Sequence, residues 1–342
     1  MQRAAYAGSQ RLSVAPMMDW SDRHCRYFHR LIAPQALLYT EMVTTGALLH
    51  GDQPRHLDFS EAEHPLALQL GGSEPSDLAA CMVLAARWGY DEVNINCGCP
   101  SERVQRGAFG ACLMAEPALV RDCVAAMRDA QPDVPVTVKH RIGIDKTDTY
   151  GFVRDFVGTV AQGGCTTFVV HARAAWLKGL SPKENRQIPP LRYDFVAQLK
   201  HDFPALVFVL NGGLTDVGAA LNAAQSLDGM MLGRHAYHQP WALRDFHNAV
   251  FGTDLDTSLT ARAQVWQQML EYTVAQRQRG VPANAVLRHC LGLCHGLSGA
   301  RHWRGVLSDP KALAALSDAD LRALALPRGV VPSVAGAAWD DE

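Results

Sequence analysis

Several things are missing from this sequence of 342 residues, and each absence removes a class of protein. It has almost no charge imbalance: 32 Lys and Arg stand against 34 Asp and Glu, a net of −2. That excludes a histone-like or wholly basic nucleic-acid binder while leaving room for a local basic patch. No uncharged apolar run approaches the ~18 residues that span a bilayer, and the opening residues MQRAAYAGSQRLSVAPM hold no apolar signal-peptide core. The nine cysteines are an odd number scattered through a long chain with no export signal, so they read as reduced thiols of a cytoplasmic protein. The first strand candidate is not followed by the G-x-G-x-x-G turn of a dinucleotide fold. No His/Asp/Glu group has metal-ligand spacing, so no metal site is expected.

What is present is a repeated β/α pattern. Eight short strand candidates begin 23 to 43 residues apart: Leu12–Pro16, Leu37–Met42, Pro65–Leu70, Glu92–Asn96, Pro135–Lys139, Thr167–His171, Leu206–Leu210 and Gly229–Leu232. Several are almost continuously apolar, as parallel strands covered on both faces must be. Helical periodicity fills the intervals, over Asp22–Leu31 (Ser21 as the N-cap), Ser76–Trp88, Glu116–Ala130, Thr149–Gln162, Tyr193–His201 and Asp216–Gln225. Eight such units predict an α/β fold, a (β/α)8 TIM barrel, against the rival of an open doubly wound sheet. After about residue 250 the strands stop. Thr260–Arg279, Asn284–His295 and Ser317–Leu326 predict a small C-terminal all-helical domain, so the expected division is 1–250 barrel, 251–330 helical domain and 331–342 a flexible tail.

Barrel chemistry gathers at the C-terminal ends of the strands. Here those ends carry Pro16-Met17-Met18-Asp19, Glu41, Gln69, Asn94 through Pro100, Lys139-His140-Arg141, His171-Ala172-Arg173, Asn211-Gly212-Gly213 and Gly233-Arg234. One polar strand end is ordinary; the same end of nearly every strand is not. Strands 7 and 8 supply glycines that let backbone approach an anion, and an arginine whose planar fork matches phosphate. Lys139, His171 and Gln69 would face the mouth, a donor set that suits an organic phosphate cofactor such as FMN better than a metal. Cys99, between Gly98 and Pro100 just past strand 4, is placed to act as a general acid or a nucleophile. Cys290 and Cys294, flanked by His289 and His295, read as helix packing, since no second ligand pair lies nearby. Six arginines lie between Ala261 and Arg304 (262, 277, 279, 288, 301 and 304), where the only acid is Glu271. With Trp303 beside Arg301 and Arg304, this predicts a basic face with an aromatic for stacking on a polyanion.

On these residues the sequence resembles the tRNA-dihydrouridine synthases, most closely the A-type bacterial branch. The matching stretches include APMMDWSDRHCR (15–26), ALQLGG (67–72), the N-x-N-x-G-C-P pattern (94–100), VKHRIGID (138–145), HARAAWLKGLSPKENRQIPPL (171–191), NGGL (211–214) and RHCLGLCHGLSGARHWR (288–304). The resemblance implies an FMN-binding barrel and a helical domain that holds tRNA by its D-loop and elbow. It implies reduction of the C5–C6 bond of uridines 20 and 20a, with NADPH as reductant, a hydride passing from reduced FMN to C6 and a proton from Cys99 to C5. Carried over residue by residue, Pro16, Met17 and Met18 line the flavin, Gln69, Lys139 and His171 bind it, and Asn211, Gly212, Gly213, Gly233 and Arg234 hold its phosphate end. Asn96, Lys183, Arg186, Arg301 and Arg304 fall on tRNA-contacting positions. The family resemblance leads us to expect a monomer with no obligate protein partner. Cys97 and Cys294-His295 depart from the pattern; the first opens the prospect of a Cys97–Cys99 disulfide under oxidation. The competing readings are an FMN barrel reductase of a free pyrimidine or enone and a tRNA-binding module without catalysis.

Overall fold

The computed structural model describes residues 8–327, so the expected tail over 331–342 lies outside the described residues. Eight strands, β1 (Leu12–Val14), β2 (Leu37–Thr44), β3 (Leu66–Gly71), β4 (Glu92–Cys97), β5 (Val136–Arg141), β6 (Thr167–His171), β7 (Val207–Asn211) and β8 (Gly229–Leu232), pair in sequence order into a closed, all-parallel barrel. β1 closes on β8 through Leu12–Met230, Ser13–Met231 and Val14–Leu232. The open-sheet rival is excluded, and the eight expected strands are the eight observed. The main covering helices are α1 (Arg23–Ile32), α2 (Pro75–Trp88), α3 (Pro117–Ala130), α4 (Tyr150–Ala161), α5 (Tyr193–Asp202), α6 (Val217–Ala223) and α7 (Ala242–Phe251). Beyond them come α8 (Leu259–Gln278) and a run of shorter helices that includes α9 (Ala300–Leu307). Among the described residues no helix is long and apolar enough to cross a membrane.

The alternation of strand side chains builds two cores. Outward residues such as Leu68, Ile95, Val138, Phe168 and Phe208 meet the helices in one large cluster that includes Phe28 and Phe156. Each such side chain taken from water contributes about 1.5–3 kcal/mol. Inward residues Leu37, Tyr39, Ala67, Val169, Val209 and Met231, from β2, β3 and β6–β8, form an apolar cluster inside the barrel. Four inward positions of β3–β5 are polar and buried: Gln69, Glu92, Asn94 and Thr137. β2 carries one extra residue between Tyr39 and Met42. This bulge frees the Thr40 hydroxyl to accept the Gln69 N–H at 3.0 Å.

Two local expectations are corrected. Asp22, not Ser21, caps α1, accepting the amides of His24 and Cys25 at 3.0 Å each. The Ser21 hydroxyl is already committed, accepting from Met17 N–H and donating to Ala15 C=O. The helix expected over Asn284–His295 ends at Leu287, followed by a 3-10 turn at Arg288–Cys290. Just beyond that turn a Cβ on Gly292 would sit 2.4 Å from the His238 carbonyl, so the chain passes His238 too closely there for a side chain.

Candidate active site at the barrel mouth

Because all strands are parallel, their carboxyl ends share one rim. Register brings the expected residues level: Gln69 opposite Asn94, Asn96 opposite Lys139, Arg141 opposite His171, and His171 opposite Asn211. Lys139 Nζ donates to Asn211 Oδ1 at 3.0 Å, while Asn211 Nδ2 donates to Met231 C=O at 2.7 Å. Burial pushes the Lys139 ammonium down to about 7, with the Arg141 charge adding to the effect and Cys99 opposing it. No carboxylate pairs with Lys139 among the described residues. Burial, reinforced by Arg141, Lys139, Arg173 and Arg186, holds His171 well below its ordinary range, so its imidazole is neutral. Its Nδ1 is buried with no hydrogen-bond partner among the described residues. A buried polar atom without a partner marks a place where something else belongs.

Beside His171, Gly212 and Gly213 adopt φ of +107° and +74°. A Cβ on Gly213 would press Leu191 at 2.6 Å and the Tyr193 hydroxyl at 2.8 Å, so this turn requires glycine on both counts. The Tyr193 hydroxyl donates to Gly212 C=O at 2.7 Å and fixes the turn. A Cβ on Gly233 would meet open space; nothing in the protein crowds that position. Arg234 Nη2 donates to Arg186 C=O at 3.3 Å. Arg173, Arg186 and Arg234 lie near enough for Arg234 to lower the pKa of each of the other two, although burial is the larger cause for both. None of the three forms an ion pair among the described residues. Arg173 escaped the site residues expected from sequence, although its place two residues beyond His171 on the strand-end loop was the available signal.

Cys99 is half-buried at the rim. Its N–H and that of Gly98 donate to Asn96 Oδ1 at 3.0 and 3.1 Å, and its C=O accepts from Ala111 N–H at 2.9 Å. Its Sγ lies 3.6 Å from Ser101 Oγ. Asn96, expected at the tRNA, has its oxygen turned to this loop and its nitrogen to Gln69 Oε1 at 2.9 Å. The prospect of a Cys97–Cys99 disulfide is not met. β4 continues through Cys97, which points outward into the helix-facing core, while Cys99 stays at the mouth, and both are free. A groove of roughly 730 Å³ opens beside Cys99, between Pro100–Gln105 and Leu177–Pro182. Gln105 ties its two walls by donating to Pro100 C=O and Leu177 C=O. Buried Arg141 braces the same loops through Gly98, Ala174 and Asn185 carbonyls. Pro16 and Met17 are half-buried at the rim, and Met18, Trp176 and Ile188 are exposed apolar side chains.

The helical segment differs from the expectation. Trp303 is buried, its ring 4.5 Å edge-on from Trp266, and is not available for stacking on a base. Three of the six arginines are committed internally: Arg262 to Leu293 C=O, Arg277 to Leu316 C=O, and Arg288 to Asp22 at 2.7 Å. Arg301 and Arg304 on α9 are exposed and, like exposed Lys183, make no ion pair among the described residues. Cys290 and Cys294 are fully buried in the core, and His289 Nε2 meets Asp22 Oδ2 at 2.9 Å.

The structure is thus a (β/α)8 barrel with a cationic mouth and a thiol on its rim, and the comparisons with known proteins give its family. The family model "Dihydrouridine synthase (Dus)" matches residues 13–325. A tRNA-dihydrouridine(20/20a) synthase of Pseudomonas putida is 58% identical over 300 residues, covering 88% of each chain. That of Vibrio cholerae is 55% identical over 302 residues, covering 88% of this chain and 91% of its own. A solved structure, "Crystal structure of TcOYE with pHBA", superposes with a TM-score of 0.50 at 12% identity over 72% of this chain and 90% of that one, a likeness of fold alone. The chain belongs to the dihydrouridine synthase family and is an oxidoreductase.

Proposed function

We propose that this protein reduces uridines of tRNA to 5,6-dihydrouridine, with FMN at the barrel mouth and NADPH as the source of electrons. The relatives' names, tRNA-dihydrouridine(20/20a) synthase, support uridines 20 and 20a as targets. The observation that carries the cofactor reading is a set of groups at the mouth: His171 Nδ1 without a hydrogen bond, and Lys139, Arg173, Arg186 and Arg234 without an ion pair among the described residues. Lys139, His171 and Gln69 would hold the ring of FMN, with Pro16, Met17 and Met18 against it. Asn211, Gly212, Gly213, Gly233 and Arg234, joined by Arg173, would hold its phosphate end. Bound FMN supplies the hydride that C6 of the uracil takes up.

The protein's part is the proton. As C6 gains a hydride, negative charge develops at C5 and O4, and Cys99 gives its Sγ proton to C5. The S–H bond breaks, a C5–H bond forms, and the thiolate recovers its proton from solvent. Lys139, Arg141 and Arg186 all lie near enough to Cys99 to couple to it electrostatically. The target base must leave the tRNA fold to reach the mouth. Lys183, Arg186 and the exposed Arg301 and Arg304 would carry phosphate contacts. Residues 1–250 then act as the catalytic unit and 251–330 as a tRNA-holding unit of a monomer working in the cytoplasm. Nucleoside analysis of tRNA from a strain lacking this gene, with and without the gene restored, tests the reading. Dihydrouridine at 20 and 20a should disappear and return with it, and its persistence in the deletion strain overturns the assignment.

A further inference from the structure

The polar side of the barrel interior is a single hydrogen-bonded line with one direction. It starts at groups that can only donate, the backbone N–H groups of Gly98 and Cys99, which point at Asn96 Oδ1. That fixes Asn96 Nδ2 toward Gln69, at 2.9 Å from Oε1. Gln69 Nε2 must then donate onward, to Asn94 Oδ1 at 2.8 Å. Asn94 Nδ2 donates to Thr137 Oγ1 at 2.8 Å, and the Thr137 hydroxyl proton goes to Glu92 Oε1 at 2.6 Å. Each carboxamide is an acceptor on one side and a donor on the other, so turning one would set like against like at two contacts. The line reaches the Glu92 carboxyl group, whose Oε1 accepts from Thr137. Gln69, Asn94, Thr137 and Glu92 are essentially without solvent exposure, and Asn96 has 9%. No water competes for these bonds, which makes a mismatch costly.

We infer that Glu92, with Thr137 and Asn94, is a positioning device for the active site. From the interior of the barrel it dictates which end of the Gln69 carboxamide is the donor, and through Asn96 it seats the loop that carries Cys99. These three residues touch neither the mouth nor any ligand there. The inference rests on the proposed reaction only for what Gln69 and Cys99 do; the seating is a property of the protein alone.

The test therefore uses the full-length protein stripped of flavin. Hydrogen exchange at the Gly98 and Cys99 amides is followed by mass spectrometry, together with alkylation of Cys99 by iodoacetamide. Thr137→Val keeps the shape and removes the link; Asn94→Asp keeps the shape and removes the donor. Both should speed exchange and alkylation about tenfold, as for a lost hydrogen bond. Thr137→Ser restores the hydroxyl and should restore the parent rates. Tyr39→Phe is the comparison, because Tyr39 also donates to Glu92 Oε1, at 2.6 Å, from outside the line. It should leave Cys99 unaltered. Parent-like Cys99 rates in Thr137→Val and Asn94→Asp overturn the inference, as does an equal response in Tyr39→Phe or failure of Thr137→Ser to restore. None of these readouts needs FMN or tRNA, so they fail independently of the proposed reaction.

Discussion

The barrel mouth and the C-terminal helices both carry arginines, and the two regions use them oppositely. Around the helices most guanidiniums serve as mortar: Arg262 lies over Trp241 and reaches Leu293 C=O, Arg277 closes on Leu316 C=O, Arg322 pairs with Glu271, and Arg288 with Asp22. At the mouth, Arg173, Arg186 and Arg234 crowd one another without a carboxylate among the described residues, and Lys139 lies in the field of Arg141. A charge paired in the fold costs little and offers little; a charge kept unpaired raises the free energy of the empty site and is repaid only by an anionic ligand. Counting arginines along the chain cannot separate the two uses, because the difference lies in which carbonyls and carboxylates the fold brings to each.

The strongest way to break this contrast is at the rim thiol. Cys99→Ala should leave flavin content near that of the parent and slow reoxidation of reduced flavin by unmodified tRNA by ~10²–10⁴-fold, measured by anaerobic stopped flow. Cys97→Ala, which alters only the outward core position, should keep that rate within a few-fold; equal losses would move the acid role off Cys99. Trp303→Ala tests the opposite region. A buried ring removed from Trp266 should cost about 3–5 kcal/mol in denaturant unfolding, whereas an unchanged midpoint with weakened tRNA binding would restore Trp303 to the surface role. Arg234→Ala should weaken FMN binding by about 1.5–3 kcal/mol with little loss of stability, while Arg277→Ala should do the reverse.

Lys139→Met sharpens the contrast through pH. The native lysine titrates at about 7, below the ~10.4 of an unfolded chain. Between those values the unfolded state binds more protons, so the lysine's cost to the flavin-free protein is full below pH 7 and fades as pH rises toward 10.4. The variant should therefore be more stable than the parent at pH 6.5, by roughly 1–3 kcal/mol, and lose that advantage by pH 10. A pH-independent difference would mean that the lysine charge is compensated in the native state. The smallest effect belongs to the exposed cations. Arg301→Ala and Arg304→Ala should each reduce the salt slope of tRNA binding by roughly one counterion, and slopes like the parent's would take α9 off the docking surface.

The barrel was legible in the sequence because parallel strands buried on both faces are written as short apolar runs, and because polar residues recur where those runs stop. Lys139, His171 and Asn211 could be assigned to one rim from that alone. The links among them could not. That Asn96 turns back to seat Cys99, or that Gln69, Asn94 and Thr137 form a line, depends on the register of β3, β4 and β5, and residue type does not encode register. Trp303 failed for a related reason. Between Arg301-His302 and Arg304 it looks like part of a basic, aromatic patch, yet on a helix its neighbours in sequence point elsewhere, and its own side faces Trp266. Arg173 stands at the strand end in the sequence, but its closeness to Arg234 comes from the fold.

One carboxylate links the melting of the two regions. Asp22 Oδ1 holds the first amides of α1, and Oδ2 holds Arg288 and His289. The helical segment therefore cannot lift from the barrel without leaving a charged cap half unpaired at the start of the helix that follows the Pro16–Met18 rim loop. Opening of the one frays the other, and the His24 and Cys25 amides become reporters of both. In a hydrogen-exchange map they should belong to the same cooperative unit as the chain around Arg288, some 265 residues away in sequence but bound to the cap of their own helix.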